Sequence, residues 1–145
     1  MAKMELSAVI NRPVEEVFSF VTDLDKMTQW SAELVEVKKT TEGPVGLGTT
    51  FTTAVKFLGR RTEVDNEVSA YEPNKRYNIK VTSGPITGGG GYTFESVDGG
   101  TKATFAFDAE IGGFLKMAEP LAARMMRRQY ETNLATLKDL LEAGA

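Results

Sequence analysis

The chain has 145 residues, of which 41% are hydrophobic and 26% are charged, and these values fit one globular domain over residues 1–145 with a single core. Its formal net charge of −3 argues against a nucleic-acid partner, because binding to the phosphate backbone needs a basic surface. The absence of cysteine and histidine excludes disulfides, thiol nucleophiles and serine-triad hydrolysis, and argues against a metal site.

Targeting and membrane signals are not apparent in the sequence. The first residues contain no basic segment followed by an apolar one, and no apolar run reaches membrane-spanning length. We therefore expect a cytoplasmic protein without stable membrane insertion, and we expect no cofactor. The sequence does not indicate an oligomeric state.

The first part of the chain predicts a strand followed by two short helices. Residues 3–10 alternate weakly between apolar and polar and predict the strand. Pro13 then begins an amphipathic helix over residues 13–21, where its missing N–H has no cost. A second helical turn is expected to end near Trp30, which is the single tryptophan of the chain.

Six further strands follow, and glycine, proline or asparagine turns separate them. They are predicted at residues 33–39, 49–57, 61–71, 76–81, 86–97 and 101–110. Strict alternation in the third of these strands sends Asn66, Val68 and Ala70 inward.

The last predicted element is one long amphipathic helix over residues 114–142, in which Pro120 either introduces a kink or marks the true first turn. A curved antiparallel sheet wrapped around the helix is the simplest way to bury its long apolar face. Two polar residues, Gln129 and Asn133, lie on that face. They either meet polar partners in the core or face a cavity that holds water or a ligand.

Four consecutive glycines at residues 88–91 invite interpretation as a phosphate-binding loop. They lack a following Lys-Ser/Thr pair and begin no helix, so their N–H groups are not arranged for phosphate. A bend, or a close approach of the strand to a neighbour or a ligand, is the better interpretation.

The clusters of charge are predicted to be hydrated and to form no site. They comprise two acidic pairs on outward strand faces and three arginines on the outward helix face: Asp65 with Glu67, Asp108 with Glu110, and Arg124, Arg127 and Arg128.

Several short motifs occur in a characteristic order along nearly the whole chain. They are NRPVEEVF at 11–18, DLDKMTQW at 23–30, GLGT at 46–49, GR at 59–60, YEPNKR at 71–76 and DGGT at 98–101. Their order and spacing resemble the helix-grip (SRPBCC) superfamily, which includes START lipid-transfer domains, plant pollen-allergen proteins and polyketide cyclase/dehydrase-like proteins. The resemblance implies an α+β fold, in which a curved antiparallel sheet of about seven strands grips a long C-terminal helix and two short helices follow the first strand.

The resemblance also implies a ligand site between the sheet and the long helix, with an apolar wall and a few polar groups. The wall residues are Trp30, Phe51, Val55, Ile79, Phe94, Phe105, Met126 and Tyr130. The polar residues are Thr53, Asn66, Tyr77, Tyr92, Gln129 and Asn133.

Three functions are compatible with this set of residues. The favoured one is the binding of a hydrophobic or amphipathic small molecule that is lipid-like or polyketide-like. A second is a polyketide cyclase or dehydratase, in which a tyrosine donates a proton and an amide stabilises an enolate. A third is a protein-interaction module similar to chaperone activators of the same fold. If the polar residues merely satisfy one another in a filled core, no ligand site exists.

Overall fold

A computed structural model describes residues 2–57, 59–83, 86–111 and 119–144. Its elements follow the predicted order. They are β1 (Ala2–Ile10), α1 (Val14–Thr22), α2 (Met27–Trp30, after a 3₁₀ turn at Leu24–Lys26), β2 (Leu34–Lys39), β3 (Thr50–Phe57), β4 (Arg60–Glu72), β5 (Arg76–Ser83), β6 (Ile86–Val97), β7 (Gly100–Ile111) and α3 (Glu119–Glu142).

The seven strands form one antiparallel sheet in the order β1-β7-β6-β5-β4-β3-β2. All neighbours except β1 and β7 are also consecutive along the chain, so short turns build most of the sheet. At the β3–β4 turn Gly59 adopts a φ of 78°, which glycine accommodates without strain. The curved sheet, the two short helices after β1 and the long C-terminal helix together confirm the predicted helix-grip fold.

The predicted inward direction of Ala70 is wrong, because a β-bulge interrupts the alternation of β4. Val68 pairs with Ile79, but Ala70 pairs with Asn78, so the register shifts by one residue between them. Tyr71 therefore takes the inward position beside Tyr77, and the two ring centroids lie 6.2 Å apart. The pattern of apolar and polar residues predicts the alternation on either side of the bulge, but it does not indicate the extra residue between them.

The long helix begins in the described residues at Glu119, with Pro120 as its second residue. This agrees with the interpretation of Pro120 as part of the first helical turn, where its missing N–H breaks no helical hydrogen bond. The rest of the predicted lead-in, residues 114–118, lies outside the described residues.

The C-terminal end of α3 is tied to the end of β1. The Glu142 carboxylate accepts a hydrogen bond from the Asn11 N–H at 2.9 Å. Arg12 Nε donates to the Leu141 carbonyl at 2.9 Å, and Lys138 Nζ donates to the Val9 carbonyl at 2.6 Å. Because these bonds satisfy carbonyl groups at a helix end and a strand end, they set the position of α3 along the sheet.

None of the helices in the described ranges is long and apolar enough to cross a membrane.

Candidate functional site

A row of large side chains crosses the inner face of the sheet beneath α3, and we call this row the floor of the site. Leu6, Phe105, Tyr92, Tyr77 and Tyr71 are successive cross-strand neighbours on β1, β7, β6, β5 and β4. Cross-strand neighbours on one face lie within side-chain contact of each other. Four of the five are aromatic, so the floor is apolar but carries phenol hydroxyls.

The aromatic rings continue from this floor to α2 and α3. The Trp30 ring meets Tyr92 edge to face at 6.0 Å, and Tyr92 meets Phe105 at 5.0 Å. The Tyr130 ring on α3 lies 4.7 Å from Phe105 and 5.7 Å from Phe107. These five rings, which we call the aromatic wall, connect α2, β6, β7 and α3, and such aromatic pairs contribute stability beyond their buried area.

One glycine of the 88–91 run is required by this packing. Gly90 lies on β6 beside Phe107 of β7. A Cβ atom at Gly90 would stand 2.6 Å from Phe107 Cδ2 and 2.5 Å from the Ala106 carbonyl oxygen. The absence of a side chain thus lets the Phe107 ring lie against β6, as the close-approach interpretation predicts.

Asn133 is the polar centre of the site and is only 1% exposed. Its Oδ1 accepts hydrogen bonds from the Ala32 N–H at 3.2 Å and from Gln129 Nε2 at 3.0 Å. Its Nδ2 donates to the Glu33 carboxylate at 2.9 and 3.2 Å. The two amides therefore meet polar partners, and we call Glu33, Gln129 and Asn133 the Glu33 cluster.

Glu33 also acts on the tyrosines of the aromatic wall. Burial raises the pKa of Tyr92 well above its usual value, and the nearby Tyr130 and Glu33 raise it further. Burial also raises the pKa of Tyr130, with Glu33 again adding to the effect. Both phenols therefore stay protonated throughout the physiological range, and each can donate a hydrogen bond.

Two buried donors near the aromatic wall have no partner among the residues that the structure describes. They are Nε1 of Trp30 and the hydroxyl of Tyr77, whose side chains are 5% and 1% exposed. A buried polar group without a hydrogen bond costs about 1–3 kcal/mol. A bound molecule with an acceptor group would remove that cost.

The inner face of the sheet is closed at one end and less covered at the other. The closed end consists of buried residues: Ile10, Val17, Phe94, Ala103 and Leu137. The open end consists of inward-facing residues that are only half-buried: Val55, Ile79, Val81, Phe107 and Tyr130. Apolar side chains that remain partly exposed are available to contact a ligand.

The predicted site residues fall into three groups. The structure brings together Trp30, Tyr92, Phe105, Gln129, Tyr130 and Asn133. Others line the same inner face around them: Phe51, Val55, Tyr77, Ile79, Phe94 and Met126. Asn66 and Thr53 do not join the Glu33 cluster, because they bond each other and the strands. Asn66 Nδ2 donates to Thr53 Oγ1 at 3.2 Å and to the Phe51 and Val64 carbonyls.

The predicted set omits Phe107 of the aromatic wall and also Glu33, which is the polar site residue that sequence reasoning missed. Glu33 precedes β2 and looks like one more charge in a strand of mixed pattern, and its partner Asn133 is 100 residues away. The only available signal was indirect: a buried amide on α3 requires a partner, and Glu33 follows the second short helix closely.

The acidic pairs form no site in the described part of the chain, where no three acidic side chains gather as a metal would need. Asp65 is exposed and accepts a hydrogen bond from Thr52 Oγ1 at 3.0 Å. The expectation of full hydration is wrong for Asp108, which is half-buried with a buried Oδ1 that has no partner in the described residues. The side chain of Glu110 lies outside them.

An open depression of about 550 Å³ lies on the other face of the sheet, over the glycine run. Its lining includes Ser69, Asn78 and Lys80. Since Asn78 and Lys80 alternate with Tyr77 and Ile79, this depression is separated from the Glu33 cluster by the sheet itself.

Comparison with known proteins places these features in a family. The family described as "Polyketide cyclase / dehydrase and lipid transport" matches residues 1–142. No curated protein matches the chain in sequence.

Solved structures share the fold at low sequence identity. A protein from Thermus thermophilus has a TM-score of 0.85 at 18% identity, with 99% of both chains covered. The Zhui aromatase/cyclase from Streptomyces sp. R1128 has a TM-score of 0.79 at 12% identity, with 97% of this chain and 93% of that one covered. Ara h 8.0201 has a TM-score of 0.74 at 13% identity, with 98% of each chain covered.

Proposed function

This chain belongs to the polyketide cyclase / dehydrase and lipid-transport family, and we propose that it binds a hydrophobic or amphipathic small molecule between the sheet and α3. The apolar body of the ligand lies against the aromatic wall and the open end. Its polar head reaches the Glu33 cluster. An apolar site with a few placed polar groups is the usual form of a small-molecule site.

The observation that supports this proposal best is a carboxylate, held by a buried amide, close to the phenols of Tyr92 and Tyr130 in the aromatic wall. A pure core would place apolar side chains here, because burying polar groups gives no net gain over apolar packing. Asn133 serves the fold by accepting from the Ala32 N–H. The Glu33 side chain has no backbone partner among the described hydrogen bonds, and its two carboxylate oxygens both accept from Asn133 Nδ2.

The Glu33 cluster also restricts the head group of the ligand. A carboxylate only accepts hydrogen bonds and repels other anions. The cluster therefore favours a hydroxyl or another neutral donor over a carboxylate head. A planar phenol fits both requirements, since its ring packs on the aromatic wall and its O–H points to Glu33.

Three probes with the same ring system test this proposal: naphthalene, naphthol and naphthoate. Trp30 supplies the readout, because it is the single tryptophan and its indole N–H gives one resonance in a proton–nitrogen correlation spectrum. We expect naphthol to bind most tightly, naphthalene less and naphthoate least. A hydrogen bond to a charged group contributes about 1.5–3 kcal/mol, so naphthol should gain roughly tenfold or more over naphthalene.

The matched control is Glu33→Gln, which keeps the size of the side chain and removes its charge. Naphthol should lose most of its advantage in this variant, whereas naphthalene should bind as before. If no probe shifts the indole resonance or gives heat in calorimetry while the protein is folded, the binding proposal fails.

A second candidate function is proton-transfer catalysis on a polyketide-like ketone, as in a cyclase or dehydratase. It is favoured by one observation, namely a carboxylate close to two phenols that remain protonated. Glu33 would remove a proton from the carbon beside the carbonyl, and Tyr130 would donate a hydrogen bond to the enolate oxygen that forms.

Exchange of the α-protons of tetralone in deuterated water tests this second function. An enzyme should accelerate the exchange above the buffer rate, and Glu33→Gln should abolish the acceleration while tetralone still shifts the Trp30 resonance. Binding of tetralone without any acceleration in the native protein would leave only the binding function.

A further inference from the structure

The outward face of the first half of α3 carries two exposed apolar side chains. Leu121 is 60% exposed and Met125 is 38% exposed. They are four residues apart, so they lie one above the other on the same helix face. That face is opposite Met126 and Tyr130, which point to the sheet, and neither exposed side chain contributes to the described core.

Two arginines flank these apolar residues. Arg124 and Arg128 are exposed and lie within one helical turn of Leu121 or Met125. Arg127 lies to one side and pairs with Glu131 at 3.1 Å. The chain has a formal net charge of −3, so these arginines form a positively charged region on a protein that is negative as a whole. We call Leu121, Arg124, Met125 and Arg128 the basic patch.

The basic patch lies at the same end of the molecule as the open end of the site. The C-terminal end of α3 is bonded to the last residues of β1, so the first half of α3 lies toward the beginning of β1. There Ala2 pairs with Ala109, which pairs with Gly88, and Gly88 pairs with Val81 of the open end. The ring of Tyr130, one turn after Met126, contacts Phe107 of the open end.

We propose that the basic patch docks the protein on the surface of an anionic lipid bilayer. Leu121 and Met125 enter the headgroup region, and Arg124 and Arg128 contact lipid phosphates while their aliphatic stems lie along the bilayer. A stable protein interface buries about 800 Å² on each partner, which two apolar side chains do not supply. A helix with a small apolar stripe and flanking arginines suits a bilayer surface instead.

This inference does not rest on the proposed function, because it concerns a different surface and needs no ligand. It gives the open end a position beside the bilayer, from which an apolar molecule could pass without crossing bulk water.

Flotation with vesicles tests the inference. One set contains phosphatidylcholine alone, and the other contains phosphatidylcholine with phosphatidylglycerol. We expect binding only to the second set, with affinity falling as salt is added. Removing both charges in Arg124→Gln/Arg128→Gln should weaken binding roughly thirtyfold, or about fivefold for each arginine. Leu121→Gln/Met125→Gln keeps every charge and should weaken it by about tenfold.

The matched control is Lys75→Gln/Lys102→Gln, which removes two exposed positive charges beside Phe94 and Ala103 of the closed end, away from the patch. Its vesicle affinity should stay within about twofold of the native value. Absence of binding to the anionic vesicles at low salt, or an equal loss in the control, would overturn the proposal. So would binding of a synthetic acidic amphipathic peptide through the patch while vesicles do not bind, since that result points to a protein partner.

Discussion

The two halves of α3 perform different tasks although they belong to one continuous helix. In the second half the inward residues are apolar and almost completely buried: Leu134, Leu137 and Leu141 are 5%, 0% and 2% exposed. In the first half and just beyond it, the inward positions hold Gln129, Tyr130 and Asn133 in place of an unbroken aliphatic stripe. A helix that only needed to bury its face would repeat the leucine pattern throughout.

The neighbours of each half explain the difference. The second half lies at the closed end, where β1 packs beside it and Arg12 donates to its last carbonyls. The first half faces the aromatic wall and reaches the open end. One half thus fixes the helix in place, and the other half presents polar groups to the interior. Changes in the second half should alter stability and leave binding intact. Changes in the first half and at Asn133 should alter binding, and should alter stability only where a buried hydrogen bond is lost.

The largest effect is expected for Leu137→Ala in the second half. Removing a fully buried leucine side chain leaves a cavity and should cost about 2–5 kcal/mol of the free energy of unfolding. Urea unfolding measures this loss, and the affinity of the protein that remains folded for naphthol should not change. Leu121→Ala is the control, because the same chemical change at an exposed position should stay within about 0.5 kcal/mol. Equal losses in the two variants would contradict the division of α3.

The next effect is expected for Asn133→Leu near the middle of α3. This change removes the acceptor of the Ala32 N–H and the donor to Glu33, and stranding such buried groups costs about 1–3 kcal/mol. Gln129→Leu is the comparison, because Asn133 Oδ1 keeps the Ala32 N–H when Gln129 is lost. Urea unfolding should therefore show a cost below about 0.5 kcal/mol for Gln129→Leu. A larger cost at Gln129 than at Asn133 would refute this hydrogen-bond arrangement.

Most of the fold could be predicted because it rests on local patterns. The strand predicted at residues 86–97 has those bounds in the structure, and the second short helix ends at Trp30 as predicted. Alternation, proline at a helix start and glycine at turns act over a few residues, so they can be recognised in sequence. The bulge that turns Tyr71 inward could not be predicted, because the apolar and polar pattern of β4 does not mark the extra residue.

The site could be predicted only in part, since its polar centre depends on contacts between distant segments. The apolar residues of the site can be predicted from the alternation of the strands. Asn133 can be recognised as a polar residue on an apolar helix face. Glu33 does not stand out, because nothing near it in sequence indicates that Asn133 is its partner. Asn66 has the same inward pattern as a site residue, yet it bonds the backbone of β3 and β4. Identical patterns thus conceal different hydrogen-bond partners.

A smaller effect is expected for Tyr130→Phe, which removes one hydroxyl from the first half of α3. Stability should change by less than about 1 kcal/mol, because the ring packing on Phe105 and Phe107 is kept. The variant should also lose one late-ionising phenol. Because the folded state raises the pKa of Tyr130, mainly by burial, its stabilising contribution is complete below the usual value of 10.0 and is lost only as the pH rises further. Ultraviolet absorbance of the phenolates at alkaline pH measures this, and an unchanged titration curve would contradict it.

The smallest effect is expected for Glu142→Gln at the C-terminal end of α3. A hydrogen bond from Lys138, followed by one from the Asn11 N–H, lowers the pKa of Glu142 from its usual value of 4.5. The carboxylate therefore stabilises the folded state above that pH, and its contribution is lost as the pH falls through the lower folded pKa. The glutamine keeps an acceptor for Asn11 and loses only the charge. Because the pair is on the surface, the melting temperature should fall slightly near neutral pH.

The dependence on pH distinguishes this charge effect from a packing effect. The difference in melting temperature between the native protein and Glu142→Gln should shrink as the pH falls from 4.5 through the lower folded pKa of Glu142, since both side chains then become uncharged. In a Lys138→Gln background the same substitution should have less effect, because the main partner of the carboxylate is gone. A difference that is constant across the whole pH range would show that Glu142 acts through hydrogen-bond shape alone. The attachment of this end of α3 to β1 would then depend on Arg12 and the buried leucines.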